Sequence, residues 1–280
     1  MRGDGYATAR RHTDRLASGS RDGGRYGLFG AKDAEMSAHF PSASVPSGRV
    51  KPRISVNKLA EYLVCRSAAR RREIIRDQWQ PLGFKAARYD TACNAIIRAL
   101  TRGGAVSEVN ACLHRLVNWH PGPDDSRFAI QKNRDCRDAL EAFLHLVENS
   151  GVAGLTGSGL LVTAGPKDAP KLTKAGVAIS VRPELIIRGA APKTGPFVGV
   201  VKLHVCKGFT MDQTAAEYVG TLLREYGELH LADETLCDYR RCYVLDVFAK
   251  QLYPAPKATA KRQSEIVSAC EEIANGWPAD

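Results

Sequence analysis

The sequence predicts an α/β protein in which a helical, basic N-terminal region leads into a core of order αβββαβ. Three observations carry that expectation. Apolar residues recur at three- and four-residue spacing as far as about residue 149, glycines at 151, 154, 157 and 159 then interrupt the chain, and beyond them the apolar residues fall into short runs bounded by Gly or Pro.

Residues 1 to about 52 are rich in Gly, Ser and Arg and lack apolar periodicity, so they are expected to form a disordered leader. Order is expected to begin at "ISVNKLAEYLVC", where Ser55 stands as an N-cap and Val56, Leu59, Tyr62 and Leu63 recur at helical spacing. Ser67 is placed to cap a second helix that carries Arg70 to Arg72. Further helices are expected at 88–101, 105–118 and 126–149, the last with a core stripe of Leu140, Phe143, Leu144 and Val147. The segments 159–165, 176–189 and 196–206 read as three successive strands. A helix over 211–228 follows, with Ala215, Val219, Leu222, Leu223 and Tyr226 inward, then a strand at 242–249, a short return at "QLYPAP" and a last helix at 258–275. The domain division read from this pattern is a leader over 1–52, a helical basic region over 53–125 and the α/β core with its C-terminal helix over 126–280.

Apolar residues make up 44% of the chain, enough for a substantial core, yet the longest apolar runs fall far short of the ~20 residues a membrane helix needs. The first residues carry positive charge without an apolar stretch behind it, which is not the pattern of a secretory signal, so the expected location is cytoplasmic and no membrane partner is expected. The cysteines at 65, 93, 112, 136, 206, 237, 242 and 270 contain no C-x-x-C step, which suits reduced, structural thiols. The formal net charge is +10, and the excess gathers in residues 51–88. A block so basic points to a polyanionic partner, nucleic acid being the commonest, with Lys58, Arg66, Arg70, Arg71, Arg72 and Arg76 as the phosphate-contacting candidates. An ordinary solvated helix face is the alternative reading of the same charges.

Within "GPFVGVVKLHVCKG", residues 195–208, a lysine stands in the middle of an apolar strand, where an unpaired ammonium is costly to bury. Either Lys202 and His204 form the solvent side of an edge strand, or Lys202 lines a site. "RPEL" at 182–185, "VVK" at 200–202 and "QTAAEY" at 213–218 complete a pattern with it, and "ISVNKLAEYLVCRSAARR" adds an early helix that reaches a Cys ahead of a basic segment. Together these stretches and the order of elements resemble the PD-(D/E)XK nuclease superfamily, in its RecB-like branch. The resemblance implies a restriction-endonuclease-like core and a Mg²⁺-dependent phosphodiesterase site. It puts Glu184, Lys202, Gln213 and Tyr218 in catalytic positions, and His145 and Glu184 in metal-binding ones. Some RecB-like enzymes hold an iron–sulfur cluster on one early and three late cysteines. Cys65, Cys237, Cys242 and Cys270 fall in that order, but without a C-x-x-C step a cluster is not expected.

Phosphodiester hydrolysis of this kind needs a cation, held by carboxylate oxygens, that polarises the phosphate and activates water. The sequence departs from the family's pattern at that point. Glu184 is one methylene longer than the usual Asp, and Val200, which cannot bind a metal, stands where the Glu of Glu-x-Lys belongs. Glu217 or Asp212 would have to replace it. Three functions therefore compete: a nucleic-acid-binding protein of nuclease descent that no longer cleaves DNA or RNA, an active Mg²⁺-dependent nuclease with a relocated acid, and a regulatory protein whose basic helices meet an acidic protein partner.

Overall fold

The computed structural model describes residues 49–81, 88–192, 195–232 and 235–278; the expected leader lies outside them except for residues 49–52. A short strand, β1 (Arg53–Ser55), runs directly into α1 (Val56–Val64), and Ser55 Oγ accepts from the Lys58 amide at 3.3 Å as the sequence anticipates. Ser67 caps α2 (Ala68–Trp79) in the same manner. The helices α3 (Asp90–Thr101), α4 (Ser107–Val117) and α5 (Arg127–Glu148) follow. Beyond them come β2 (Leu161–Ala164), β3 (Leu172–Lys174), β4 (Val177–Ser180), β5 (Leu185–Ala191) and β6 (Gly195–His204). Asp212 caps α6 (Gln213–His230), which leads to β7 (Leu236–Cys237), β8 (Tyr243–Asp246), β9 (Gln251–Pro254) and α7 (Ala260–Asn275).

The larger sheet has the order β2-β5-β6-β8-β9, with β7 also pairing with β6. β2, β5 and β6 form an antiparallel meander, whereas β8 lies parallel to β6 and is reached through α6. A parallel neighbour demands a crossover, and α6 supplies it. A smaller sheet, β1-β4-β3, joins the start of the described chain to its middle.

The single strand expected over 176–189 is two strands in different sheets. Its apolar pattern continues through the break, but Arg182 adopts φ 42° and Pro183 has no amide to give to a ladder, so the chain turns out of the small sheet and enters the large one. The edge-strand reading of Lys202 also fails, because β6 is flanked by β5 on one side and by β8 on the other.

Alternation along the central strands divides the interior in two. Ile186, Val198, Val200 and Val244 face a core shared with α1, α6, α7 and the small sheet. Leu185, Ile187, Val201, Leu203 and Leu245 face a second core closed by α3, α4 and α5. Both faces are therefore covered, and the helices of residues 53–125 are built into the same two cores as the strands after residue 160.

Candidate functional site

The apolar periodicity of β6 buries Val198 and Val200 on the α1/α6 face, and the next two residues on that face are Lys202 and His204, which are 8% and 4% exposed. A buried ammonium needs partners, and Lys202 has two. Its Nζ donates to Glu184 Oε1 at 2.8 Å and to the Arg182 carbonyl at 2.8 Å. Glu184 Oε2 in turn accepts from the Leu203 amide at 2.7 Å. Both carboxylate oxygens are thus engaged, while the ammonium keeps one N–H without a partner among the described residues.

Backbone geometry fixes this pair. The Glu184 amide donates to the Val201 carbonyl at 3.0 Å, and the Glu184 carbonyl accepts from Gly165 at 2.8 Å, so Glu184 is bound on one side to β6 and on the other to the end of β2. The left-handed turn at Arg182 presents that residue's carbonyl to Lys202. Gly165 is required for the approach, because a Cβ there would lie 1.9 Å from the Pro183 carbonyl oxygen.

The pair floors a cleft of about 390 Å³ at the C-terminal end of β6. One wall comes from Asn57, Lys58 and Glu61 around α1, the other from Tyr89, Asp90 and Cys93 at the start of α3. Glu61 is buried; burial pushes its carboxyl up, but hydrogen bonds from Lys58 (2.5 Å) and Arg70 (2.9 Å) outweigh that and hold it below the ordinary carboxylate value. Asn57 Oδ1 is buried with no hydrogen-bond partner among the described residues, an acceptor that a donor in the cleft would satisfy. Burial first, and then the charges of Glu184 and Asp90, push the Cys93 thiol up to about 12, so it is no nucleophile at neutral pH.

His204 donates from Nε2 to the Phe209 carbonyl at 2.7 Å, which leaves Nδ1 as the unprotonated nitrogen. Burial lowers its pKa below 6.5 despite that carbonyl and the Asp246 carboxylate 3.9 Å away. Asp246 is fully buried and spends its oxygens on the amides of Met211, Phe248 and Ala249. The linkage has a definite sign. Below about 6.5 the unfolded chain takes up a proton that the folded imidazole refuses, so stability is expected to fall with pH from there and to level off once the folded His204 protonates. Thermal melts between about pH 7.5 and 5 in wild type and His204→Gln check this, with the dependence expected to be flatter in the variant. Glu61 and Asp135, both held low, contribute their loss only at lower pH, below about 4.5.

The other anticipated site residues lie elsewhere. Glu217 pairs with Arg262 and accepts from Gln213 at 2.9 Å, and Tyr218 donates to Glu265 at 2.7 Å; Glu217 and Tyr218 thus join α6 to α7, away from the Glu184–Lys202 cleft. Asp212 is a helix cap, its Oδ1 accepting from Ala215 at 2.8 Å. His145 is exposed on α5, next to Asn149. Glu184, Glu217 and His145 do not form one metal site, and among the described residues no cluster of three or more His, Cys, Asp and Glu side chains is arranged to hold a metal ion. Of the four cysteines considered for a cluster, Cys237 and Cys242 meet with sulfurs 3.8 Å apart, while Cys65 hydrogen-bonds the Ser67 carbonyl.

The basic block also divides. Lys58 and Arg70 are committed to Glu61, Arg70 binds Glu73 as well, and Arg71 binds Glu272 at 3.4 Å and lies over the Tyr62 ring. Arg66, Arg72 and Arg76 are exposed and have no carboxylate partner among the described residues. Asn57, Tyr89, Asp90 and Cys93 had no signal in the sequence as cleft residues, since each reads as an ordinary member of a helix end. Comparison of the chain with family models, with curated proteins and with solved structures gives no match, so the chemistry of the cleft rests on its own residues.

Proposed function

We propose that this chain is a nucleic-acid-binding protein on a nuclease-like fold that does not cleave. The reading is carried by the Glu184–Lys202 pair: where the resemblance calls for two carboxylates around a cation, the protein puts its own ammonium against the one carboxylate present. The setting supports it, an antiparallel meander of three strands extended by a parallel fourth through α6, with a helix packed on each face. With β3 and β4 set aside in the smaller sheet, this arrangement agrees with the αβββαβ order that the resemblance implies. The two acids weighed as replacements, Glu217 paired with Arg262 and Asp212 capping α6, do not line the cleft, which supports the lack of cleavage. Phosphate contacts fall to the members of the basic block that have no carboxylate partner among the described residues, Arg66, Arg72 and Arg76.

The test is incubation of the purified full chain with single- and double-stranded DNA and RNA, in Mg²⁺, in Mn²⁺ and in EDTA. Salt-dependent binding without cutting is expected. EDTA-sensitive cutting lost in Lys202→Ala would show an active nuclease instead, and no binding at any salt concentration would favour a protein partner. On duplex, the combined Arg66→Gln, Arg72→Gln and Arg76→Gln variant is expected to lower the slope of log K against log salt by about 2 to 3, close to 0.9 per lost phosphate contact. Arg70→Gln is expected to act on stability instead, because it strips a partner from buried Glu61.

A further inference from the structure

A second cavity, of about 320 Å³, lies between α3, α4 and α5. It is at the small end of the range for pockets that bury a small molecule, large enough for one nucleotide and not for a strand. Its walls are Leu116, Trp119, Ala129 and Cys136, with the indole as the flat member. Its polar groups are Arg115, Lys132 and Asn133. Thr91 also lines it, one residue beyond Asp90, which lines the Glu184–Lys202 cleft, so the two depressions adjoin across the first turn of α3.

Most carboxylates of the neighbouring α4 and α5 segments are already engaged. Glu108 on α4 is taken by Arg98 and Arg102. On α5, Asp135 is taken by Arg88 at 2.5 Å and Lys207 at 2.9 Å, and Asp138 by Lys207. Asp125, just ahead of α5, accepts from the Gly122 amide at 2.8 Å. Arg115 and Lys132 are left with no carboxylate partner among the described residues, two cations beside an aromatic wall. Asn133 is oriented by its own bond: Nδ2 donates to the Leu116 carbonyl at 3.0 Å, which identifies the other amide atom as the oxygen and leaves it able to accept.

We propose that this cavity takes a single nucleobase from a bound strand, stacked on Trp119, with its phosphates held by Arg115 and Lys132. A flat apolar wall flanked by cations suits a base with its phosphate; a fatty chain has no use for the cations, nor a small anion for the indole. The Asn133 oxygen favours bases with an exocyclic amine projecting from the ring, adenine, cytosine or guanine, over uracil and thymine, whose one donor is the ring N3–H. The inference rests on the nucleic-acid reading above and deepens it.

The test uses the full chain and mononucleotides as probes. AMP and CMP are expected to quench tryptophan emission saturably, the quench to vanish in Trp119→Leu, UMP to bind several-fold more weakly, and ribose 5-phosphate to give no quench. Oligonucleotide affinity is expected to fall by roughly 5-fold or more in Trp119→Leu at unchanged salt slope, and to be kept in Trp119→Phe. Arg115→Gln, at an exposed position, is expected to lower the slope instead. If oligonucleotides bind but mononucleotides give no quench and Trp119→Leu binds them as wild type does, the base pocket is overturned while the nucleic-acid reading stands. If mononucleotides quench and strands do not bind, the pocket survives and the reading of the function fails.

Discussion

Lys202→Met is expected to destabilise the protein by about 3 kcal/mol, the lower end of the range for removing one member of a buried ion pair. The lower end applies because the Glu184 side chain is 24% exposed and can still reach water. Methionine fills the volume of the lysine stem, so the loss is electrostatic: the Glu184 carboxylate keeps the Leu203 amide but loses its counter-ion, and the Arg182 carbonyl loses its donor. A double-mutant cycle makes this exact. Glu184→Gln combined with Lys202→Met is expected to be more stable than Lys202→Met alone, since the stranded charge is gone. Urea denaturation of the four proteins reads both effects. If Lys202→Met costs less than about 0.5 kcal/mol, the ammonium is not held as described.

Gly165→Ala is expected to cost about 3 kcal/mol, the top of the overpacking range, because the added methyl meets backbone, not a side chain that can swing aside. To relieve a contact of 1.9 Å with the Pro183 carbonyl oxygen, the 183–184 step must move, and with it the carboxylate against Lys202. Loss of stability and disruption of the Glu184–Lys202 hydrogen bond are thus expected together. Gly208→Ala is the control: nothing lies within 4 Å of its Cβ position, and a change within about 1 kcal/mol is expected.

Much of this arrangement was legible in the sequence, for identifiable reasons. Ser55 and Ser67 announce α1 and α2 because a capping hydroxyl is a local signal, and the strands around 159–165 and 196–206 stand out because Gly and Pro bracket them. The pairing of Lys202 with Glu184 was within reach because the resemblance puts both residues in one site on successive strands. Other features are set by tertiary pairing and leave no local mark. β1, β3 and β7 are two or three residues long and exist only through their partners. "VAISVRPELII" reads as one strand since apolar alternation says nothing of which sheet a segment joins. Tyr218 was expected near the site from the likeness of "QTAAEY" to a family motif, and Glu217 because it shares a helix side with Gln213, but the helical stripe that buries Ala215, Val219 and Leu222 turns them toward α7.

The parallel pairing of Arg53–Ser55 with Ala178–Ser180 has a consequence for biosynthesis. Ile54, Val56 and Leu59 leave the ribosome early, yet the surfaces that cover them, β4 and then Ile266 to Ile273 of α7, are translated much later. Until then these side chains lack their native cover, and contacts of such long sequence separation are slow to form and leave apolar surface open during elongation.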